Sequence, residues 1–273
     1  VRQGEESGIL WNATKVRSMI SEEYAMELPK VWFHGFDDIR NVPGNELIEE
    51  LASSYSRAGL DDTIVITRSN KLAIRYNNGI RNMVLGNEDE LCSGDRLMVV
   101  KNNYFWTEKE KLPVPFIANG DRVKVERVRN IRELYGFRFA DVTMSFPDYD
   151  NMELTATVNL NTLRSEAPAL TREESDLLFN KVMEDYQHIP LKMDRIKAMR
   201  QDVYYNALQV KYAYAVTCHK AQGGQWSHVY VDQGYMTDDM LTPDYLHWLY
   251  TAFTRATEKL YLVNWPEKQR VFN

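Results

Sequence analysis

The hydrophobic pattern of this 273-residue chain changes period twice along its length, and that change constrains the fold more than any other feature. Toward both ends, helix-like spacing alternates with short apolar runs. Leu47, Ile48, Leu51 and Tyr55 lie on one side of a helical segment opened by Val42-Pro43-Gly44, and Gly59 stands where a helix C-cap is expected. Residues 63–67 (TIVIT) are all β-branched, as in a parallel strand buried on both faces. Ser69 is placed to cap a helix that carries Leu72, Ala73, Tyr76 and Ile80. Near the other end, 211–217 (KYAYAVT), 226–232 (WSHVYVD) and 260–263 (LYLV) read as strands. Thr242 and Pro243 give N-cap and N1 signals for a helix running to about Ala256.

From about Gly94 the spacing becomes period two. GDRLMVVKNN, NGDRVKVERV, FRFADVTMS and MELTATVNLNTL are four strand-like runs separated by Pro, Gly and Asp turns, and they predict a small antiparallel barrel. Thr171 and Glu174 then form a capping box that opens a helix to Gln187. The predicted class is α/β, with one parallel-sheet domain over 1–92 and 206–273, interrupted by an all-β insert over 93–205.

Composition narrows the function. At 44% hydrophobic and 26% charged residues, disorder is excluded as the main state. No stretch approaches the roughly 20 apolar residues of a membrane-spanning helix, and the first residues carry no secretory signal. The two cysteines, Cys92 and Cys218, give neither a disulfide framework nor a zinc motif, so a reducing, cytoplasmic compartment is the default. With a net charge of −6, any nucleic-acid contact must come from a local cluster. One candidate lies between Asp121 and Arg138. There Arg122, Lys124, Arg127, Arg129, Arg132 and Arg138 face three acids, Asp121, Glu126 and Glu133, for a local charge of +3. The alternative is a solvated strand face. Tyr104, Phe105 and Trp106 could stack on bases or fill the barrel core.

No phosphate-cradling GxxxxGK[ST], no GxSxG and no HExxH is present, and the histidines show no metal-ligand spacing. Two blocks stand out. The first, 217–224 (TCHKAQGG), is expected at the carboxyl end of a strand, the edge where open α/β sheets bind ligands. Its hydroxyl, imidazole, ammonium, amide and two glycines suit a phosphate, and would equally make a polar turn. The second is 250–256 (YTAFTRA). Leu246, Leu249, Tyr250 and Phe253 form the buried stripe of that helix, which places Arg255 on the opposite side with Trp248 and Thr251. That face is either solvated surface or a covered interface.

At these blocks a resemblance emerges. YAYAVTCHKAQGGQWSHVYVD resembles motif V of superfamily 1 helicases and YTAFTRATEKLYLV resembles motif VI, in the style of the RecD-like branch. VRQGEESGILWNAT resembles motif IV. TRSNKLAIRYNNGIR, GDRLMVVKNNYFW and FIANGDRV are similar to the same branch, in family order. The resemblance implies a RecA-like domain 2A, a P-loop-NTPase-like fold without the P-loop, interrupted by a small SH3-like β-barrel, 2B. It implies a C-terminal fragment, with Walker A and B on a preceding RecA-like domain absent from this sequence. Arg255 and Arg2 would be arginine fingers reaching the γ-phosphate. Gln222 and Gly223 would lie beside that phosphate, and Gln225 stands where many relatives outside this branch carry a ribose-binding Glu. Thr217, His219 and Lys220 would face the nucleic acid, and Thr67, Arg68 and Asn70 would contact its backbone.

No metal ligand is implied in this chain. ATP and Mg²⁺ would be held mainly by the absent domain, leaving the fragment inactive alone. The implied partners are single-stranded DNA, that domain and, in some relatives, recombination or repair subunits of an exodeoxyribonuclease. The implied activity is ATP-dependent helicase or translocase movement, 5′ to 3′. The rival reading is a non-catalytic single-stranded DNA-binding module with a degenerate helicase domain. The compact insert argues against the UvrD/Rep-type branch.

Overall fold

The computed structural model describes residues 7–21 and 27–272. In chain order its strands are β1 (Ile39–Val42), β2 (Thr63–Thr67), β3 (Arg96–Val99), β4 (Arg122–Leu134), β5 (Phe137–Phe146), β6 (Met152–Asn159), β7 (Leu208–Tyr212), β8 (Ala215–Thr217), β9 (Trp226–Asp232) and β10 (Ala256–Val263). The α-helices are α1 (Gly8–Ser21), α2 (Leu47–Arg57), α3 (Asn70–Gly79), α4 (Phe105–Lys109), α5 (Arg172–Glu184), α6 (Lys192–Arg200), α7 (Cys218–Ala221) and α8 (Pro243–Phe253). The chain divides into two compact units, Val1–Gly86 with Tyr214–Asn273, and Asn87–Ala213.

The first unit is built on a five-stranded sheet of order β1-β10-β9-β2-β8, every pair parallel. Every residue of β2 is buried, as its unbroken β-branched run requires. In register, Thr67 lies opposite Thr217 on one side and Asp232 on the other, so β8, β2 and β9 end at one level. Local chemistry sets the helix starts. Ser69 caps α3 by accepting from Leu72 N at 3.1 Å, and Thr242 Oγ1 accepts from Tyr245 N at 3.4 Å ahead of Pro243. Gly59 follows α2 at φ +88°, a conformation that costs glycine little. The edge strand β8 is clipped to α3 by Asn77, whose side chain bonds Ala215 N at 2.7 Å and Ala215 O at 2.9 Å. Helix α1 was not predicted. Its cap is tertiary, because the Asp38 carboxylate accepts from Gly8 N (2.8 Å), Ile9 N (3.3 Å) and Ser7 Oγ (2.6 Å).

The second unit is a closed barrel, β3-β4-β5-β6-β7. Antiparallel hairpins join β3 through β6, and β7 closes it, antiparallel to β3 and parallel to β6. The four expected strands are present, and the fifth is β7. The run 211–217, read from the sequence as one strand, is divided. Lys211 and Tyr212 end β7, and the chain then passes to the parallel sheet as β8. Tyr212 and Tyr214 are both buried, at 2% and 1% exposure, so the burial pattern runs unbroken across the exchange. Beyond the barrel, β4 and β5 continue as a hairpin turned by Tyr135 and Gly136, both at positive φ. Phe137 and Phe139 pack there against Leu178 and Val182 of α5 and Met199 of α6. The capping box of α5 is formed, Glu174 N to Thr171 Oγ1 at 3.2 Å and Thr171 N to Glu174 Oε2 at 2.8 Å. Helix α6 buries Met199 alone, which leaves no stripe to read.

The basic strip is mostly neutralised within its own unit. Arg122 pairs with Asp148 (2.9 Å), Lys124 with Glu126 (3.6 Å), Arg132 with Asp141 (2.9 Å) and Arg138 with Glu90 (2.8 Å). Arg127 and Arg129 are exposed without a carboxylate partner among the described residues. Trp106 is buried in its unit, whereas Tyr104 is 60% exposed. Among the described residues no helix is long and apolar enough to cross a membrane.

Candidate functional site: a cleft along helix α8

Where β2 and β8 end, a cleft of about 460 Å³ opens between their carboxyl termini and the side of α8. Arg68, Thr217, His219 and Gln222 line it from the strand side; from the helix side come Thr242, Tyr245, Trp248 and Thr251, with Asp244 and His247. Four of the sequence-predicted site residues therefore meet in one place.

Arg68 is held without being neutralised. Its guanidinium carbon lies 5.4 Å from the Tyr245 ring centroid and 5.8 Å from that of Trp248. Its Nη1 rests on the Met236 sulfur and lies 4.0 Å from the Met240 sulfur. No carboxylate pairs with it among the described residues, so its full charge is left to the cleft. Tyr245 in turn is fixed from below. Its hydroxyl donates to Gln233 Oε1 (2.5 Å), Gln233 Nε2 donates to Gln269 Oε1 (2.6 Å), and Gln269 Nε2 donates back to the Tyr245 oxygen (2.7 Å). All three side chains are buried, and burial pushes the phenol pKa up to about 12. Nothing in the linear pattern announces this triangle, because its members lie on three separate segments.

Arg255 sits elsewhere than expected. Helix α8 ends at Phe253, where Thr254 Oγ1 donates to the carbonyls of Tyr250 (2.8 Å) and Thr251 (3.1 Å). The chain must turn there because Trp226 N bonds Arg255 O (2.9 Å) and Ala256 already pairs with Trp226 in the sheet. Arg255 is thus past the helix, at the start of β9 and β10. Its side chain turns back along the last turn of α8, with Nε to Thr251 O (3.1 Å), Nη1 to Gly224 O (3.0 Å) and Nη2 to Thr254 Oγ1 (3.2 Å). Three of the five guanidinium N–H groups are used in this way. One on each terminal nitrogen remains, a fork suited to two oxygens of one anion.

The block 217–224 likewise spans two places. Thr217 and Gln222 both line the cleft, but Gly223 and Gly224 lead away from it to the start of β9. Gly223 holds φ +82°. Gly224 is required for space, since a Cβ there would fall 2.4 Å from the buried Trp226 ring. Cys218 is a packing residue, its sulfur 3.7 Å from Trp248 O and its thiol pKa pushed up to about 11 by burial. Lys220 is half-buried, which lowers its pKa. Thr67 is fully buried and donates its hydroxyl to Ser69 O (3.0 Å), so its side chain shapes the turn instead of meeting a ligand. Asn70 opens α3, and Gln225 is exposed ahead of β9; neither lines the cleft. Arg2 lies outside the described residues.

Residues 212–263 match the family described as the UvrD-like helicase C-terminal domain. That segment runs from the end of β7 through β10 and includes Arg255 and all the cleft residues named above except Arg68. No curated protein matches the chain. Among solved structures, the chain is similar to one described as showing DNA unwinding at forked dsDNA by two coordinating Pif1 helicases, at 12% identity and a TM-score of 0.47, over 98% of this chain and 49% of that one. It is also similar to Pif1 helicase from Bacteroides in complex with ADP-AlF3 and ssDNA (12% identity, TM-score 0.46, 98% of this chain and 52% of that one). A third is Pif1 helicase from Candida albicans (14% identity, TM-score 0.35, 96% and 54%). The chain spans about half the length of these structures, and at such scores the roles of its residues rest on its own geometry.

Proposed function

We propose that this chain is the C-terminal motor half of an ATP-dependent DNA helicase of the RecD-like superfamily 1 type, a RecA-like domain 2A carrying an SH3-type barrel 2B. The observation that carries the reading is Arg255. Its guanidinium is held by three acceptors and keeps a free fork, inside the segment that matches a helicase domain. Phosphoryl transfer is promoted chiefly by placing positive charge against the transferring group, and an arginine finger is worth roughly 10³–10⁵ in rate. Bound ATP supplies the transferable phosphoryl group, and the reading assigns ATP and Mg²⁺ mainly to a P-loop domain that this sequence does not contain. Here Arg255 presents its fork to the γ-phosphate, Gln222 and Gly223 are assigned places beside that phosphate, and Arg2 is assigned the same role as Arg255. Gln225 is assigned the nucleotide ribose.

The cleft supplies the grip. Arg68, Thr217 and His219 offer a cation, a hydroxyl and an imidazole to backbone phosphates, with Lys220 and Asn70 flanking and Thr67 shaping the turn. Phosphate contacts of this kind hold any sequence and weaken with salt. The closed five-stranded barrel, with the 3₁₀ turn Leu160–Leu163 directly after its fourth strand and helices α5 and α6 before its fifth, supports the SH3-type reading. The 5′-to-3′ direction, and recombination or repair subunits as partners, rest on the sequence resemblance.

The test is ATP hydrolysis with and without single-stranded DNA, on this chain and on a form extended by the P-loop domain. The expected result is turnover only in the extended form, stimulated by DNA and abolished by Arg255→Ala. Turnover by this chain alone that survives Arg255→Ala overturns the proposal. An inert extended form that still binds DNA makes the protein a binding module.

A further inference from the structure

The barrel unit contains a recess of about 320 Å³ formed by the segment after β3, the first turns of α5 and the start of β7. Its walls carry aromatic rings. Tyr104 is 60% exposed and Tyr205 38% exposed, with Phe179 set edge-on to Tyr205 at 6.1 Å. Its floor carries Gln209, which is only 8% exposed. Gln209 Oε1 accepts from Leu170 N at 3.0 Å, which fixes the amide orientation. The Nε2 end has no partner among the described residues. With its oxygen fixed, Gln209 presents this donor to the recess, where it is open to a ligand's acceptor.

The recess is preformed. Asn103 Nδ2 and Trp106 Nε1 both donate to Asn206 O at 2.9 Å, and Asn103 Oδ1 accepts from Trp106 N at 3.1 Å, so the segment after β3 is tied to the approach to β7. Lys101 also lines the recess, exposed and without a carboxylate partner among the described residues. The rings, the amide donor and Lys101 in one lining are complementary to a flat neutral heterocycle carried on an anionic linkage; Asp176, which also lines the recess, lies 4.0 Å from Arg172.

We propose that this recess captures one unstacked base of a single-stranded nucleic acid. The base lies against Tyr205 and Tyr104, a base carbonyl or ring nitrogen accepts from Gln209 Nε2, and the adjoining phosphate sits beside Lys101. Every base offers a π face and at least one such acceptor, so the capture tolerates any sequence. The inference rests on the reading that the chain grips single-stranded DNA.

The test compares binding of a short oligothymidylate with binding of the same-length strand carrying abasic sites, using the whole chain. The parent chain is expected to prefer the strand with bases. Tyr205→Ala removes an exposed ring, and Gln209→Glu keeps the acceptor for Leu170 N while deleting the donor. Each is expected to lower that preference about tenfold, the scale of one stacked base, and Tyr205→Ala, which changes no charge, is expected to leave the salt dependence unchanged. An iodouracil-substituted strand is expected to crosslink to Tyr205 or Tyr104. If single-stranded DNA binds and neither variant changes the preference, the recess is not a base site while the DNA reading stands. If no single-stranded DNA binds at all, both readings fall together.

Discussion

Replacing Gly224 by alanine tests the join between the sheet and Arg255. An added Cβ would lie 2.4, 2.8 and 3.0 Å from Cη2, Cζ3 and Cζ2 of Trp226. The indole is 3% exposed and anchored at the start of β9, so it has no solvent to swing into. Gly224 is not at positive φ, so the backbone itself would accept alanine and the whole penalty is the collision. Overpacking of this kind costs about 1–3 kcal/mol. With a urea slope of roughly 1–3 kcal/mol per molar, the midpoint should fall by about 1 M. Tryptophan fluorescence follows it well, because five of the six tryptophans (11, 32, 226, 248 and 265) belong to the parallel-sheet unit. Gly223→Ala is the control. Nothing lies within 4 Å of its Cβ, and its φ of +82° exacts only the left-handed penalty, about 1 kcal/mol. Relief of the Gly224 clash must move either the indole or the carbonyl that accepts from Arg255. Under the proposed role of Arg255, the form extended by the P-loop domain should therefore lose ATP turnover with Gly224→Ala and keep more of it with Gly223→Ala. A Gly224→Ala chain within about 0.5 kcal/mol of the parent, or one more stable than Gly223→Ala, would refute the steric argument.

Three further outcomes are expected. Arg68→Ala should weaken binding to single-stranded DNA and reduce the magnitude of the slope of log affinity against log salt by about 0.7, the share of one phosphate contact; an unchanged slope removes Arg68 from the grip. Tyr245→Phe should destabilise the parallel-sheet unit by about 2–4 kcal/mol, because two buried glutamine amides each lose a partner, and a loss under 0.5 kcal/mol in a urea melt would mean that water fills the gap. His228 is buried with Nδ1 2.7 Å from Ser54 Oγ, and burial lowers its pKa. Above its ordinary value of about 6.5 neither state carries the proton; below it the unfolded chain binds a proton that the folded one refuses. Stability should thus fall as pH drops from 6.5 toward the folded value, and His228→Gln should flatten that fall in urea midpoints measured at pH 7.5 and 5.5.

What the sequence disclosed follows from where each signal is stored. Strand β2, the caps at Ser69, Thr171 and Thr242, and the change to period two are local properties, and each appears where the residues place it. Features set by distant partners were invisible. The cap of α1 comes from Asp38, thirty residues away. The 211–217 run passes from barrel to sheet within one burial pattern. Arg255 keeps helical spacing in the sequence, yet Thr254 ends the helix and pairing with Trp226 redirects the chain. In the candidate site, Arg68, Thr217, His219 and Gln222 could be named from motif chemistry. The Tyr245–Gln233–Gln269 triangle could not, because hydrogen bonds among three segments leave no period to detect.

The strand order β1-β10-β9-β2-β8 has a consequence for how the chain is made. Strands β1 and β2 are produced first but never touch, since β9 and β10 must come between them. During synthesis β2 has no partner until β8 and β9 have been made, and β1 has none until β10 has emerged. The barrel, whose strands are all contained within 87–213, can close while they wait. Throughout that interval the five β-branched residues of β2 stand as an unpaired apolar edge. The nascent chain therefore finishes its insert before its host, and β2 is the segment that a holding chaperone would have to cover.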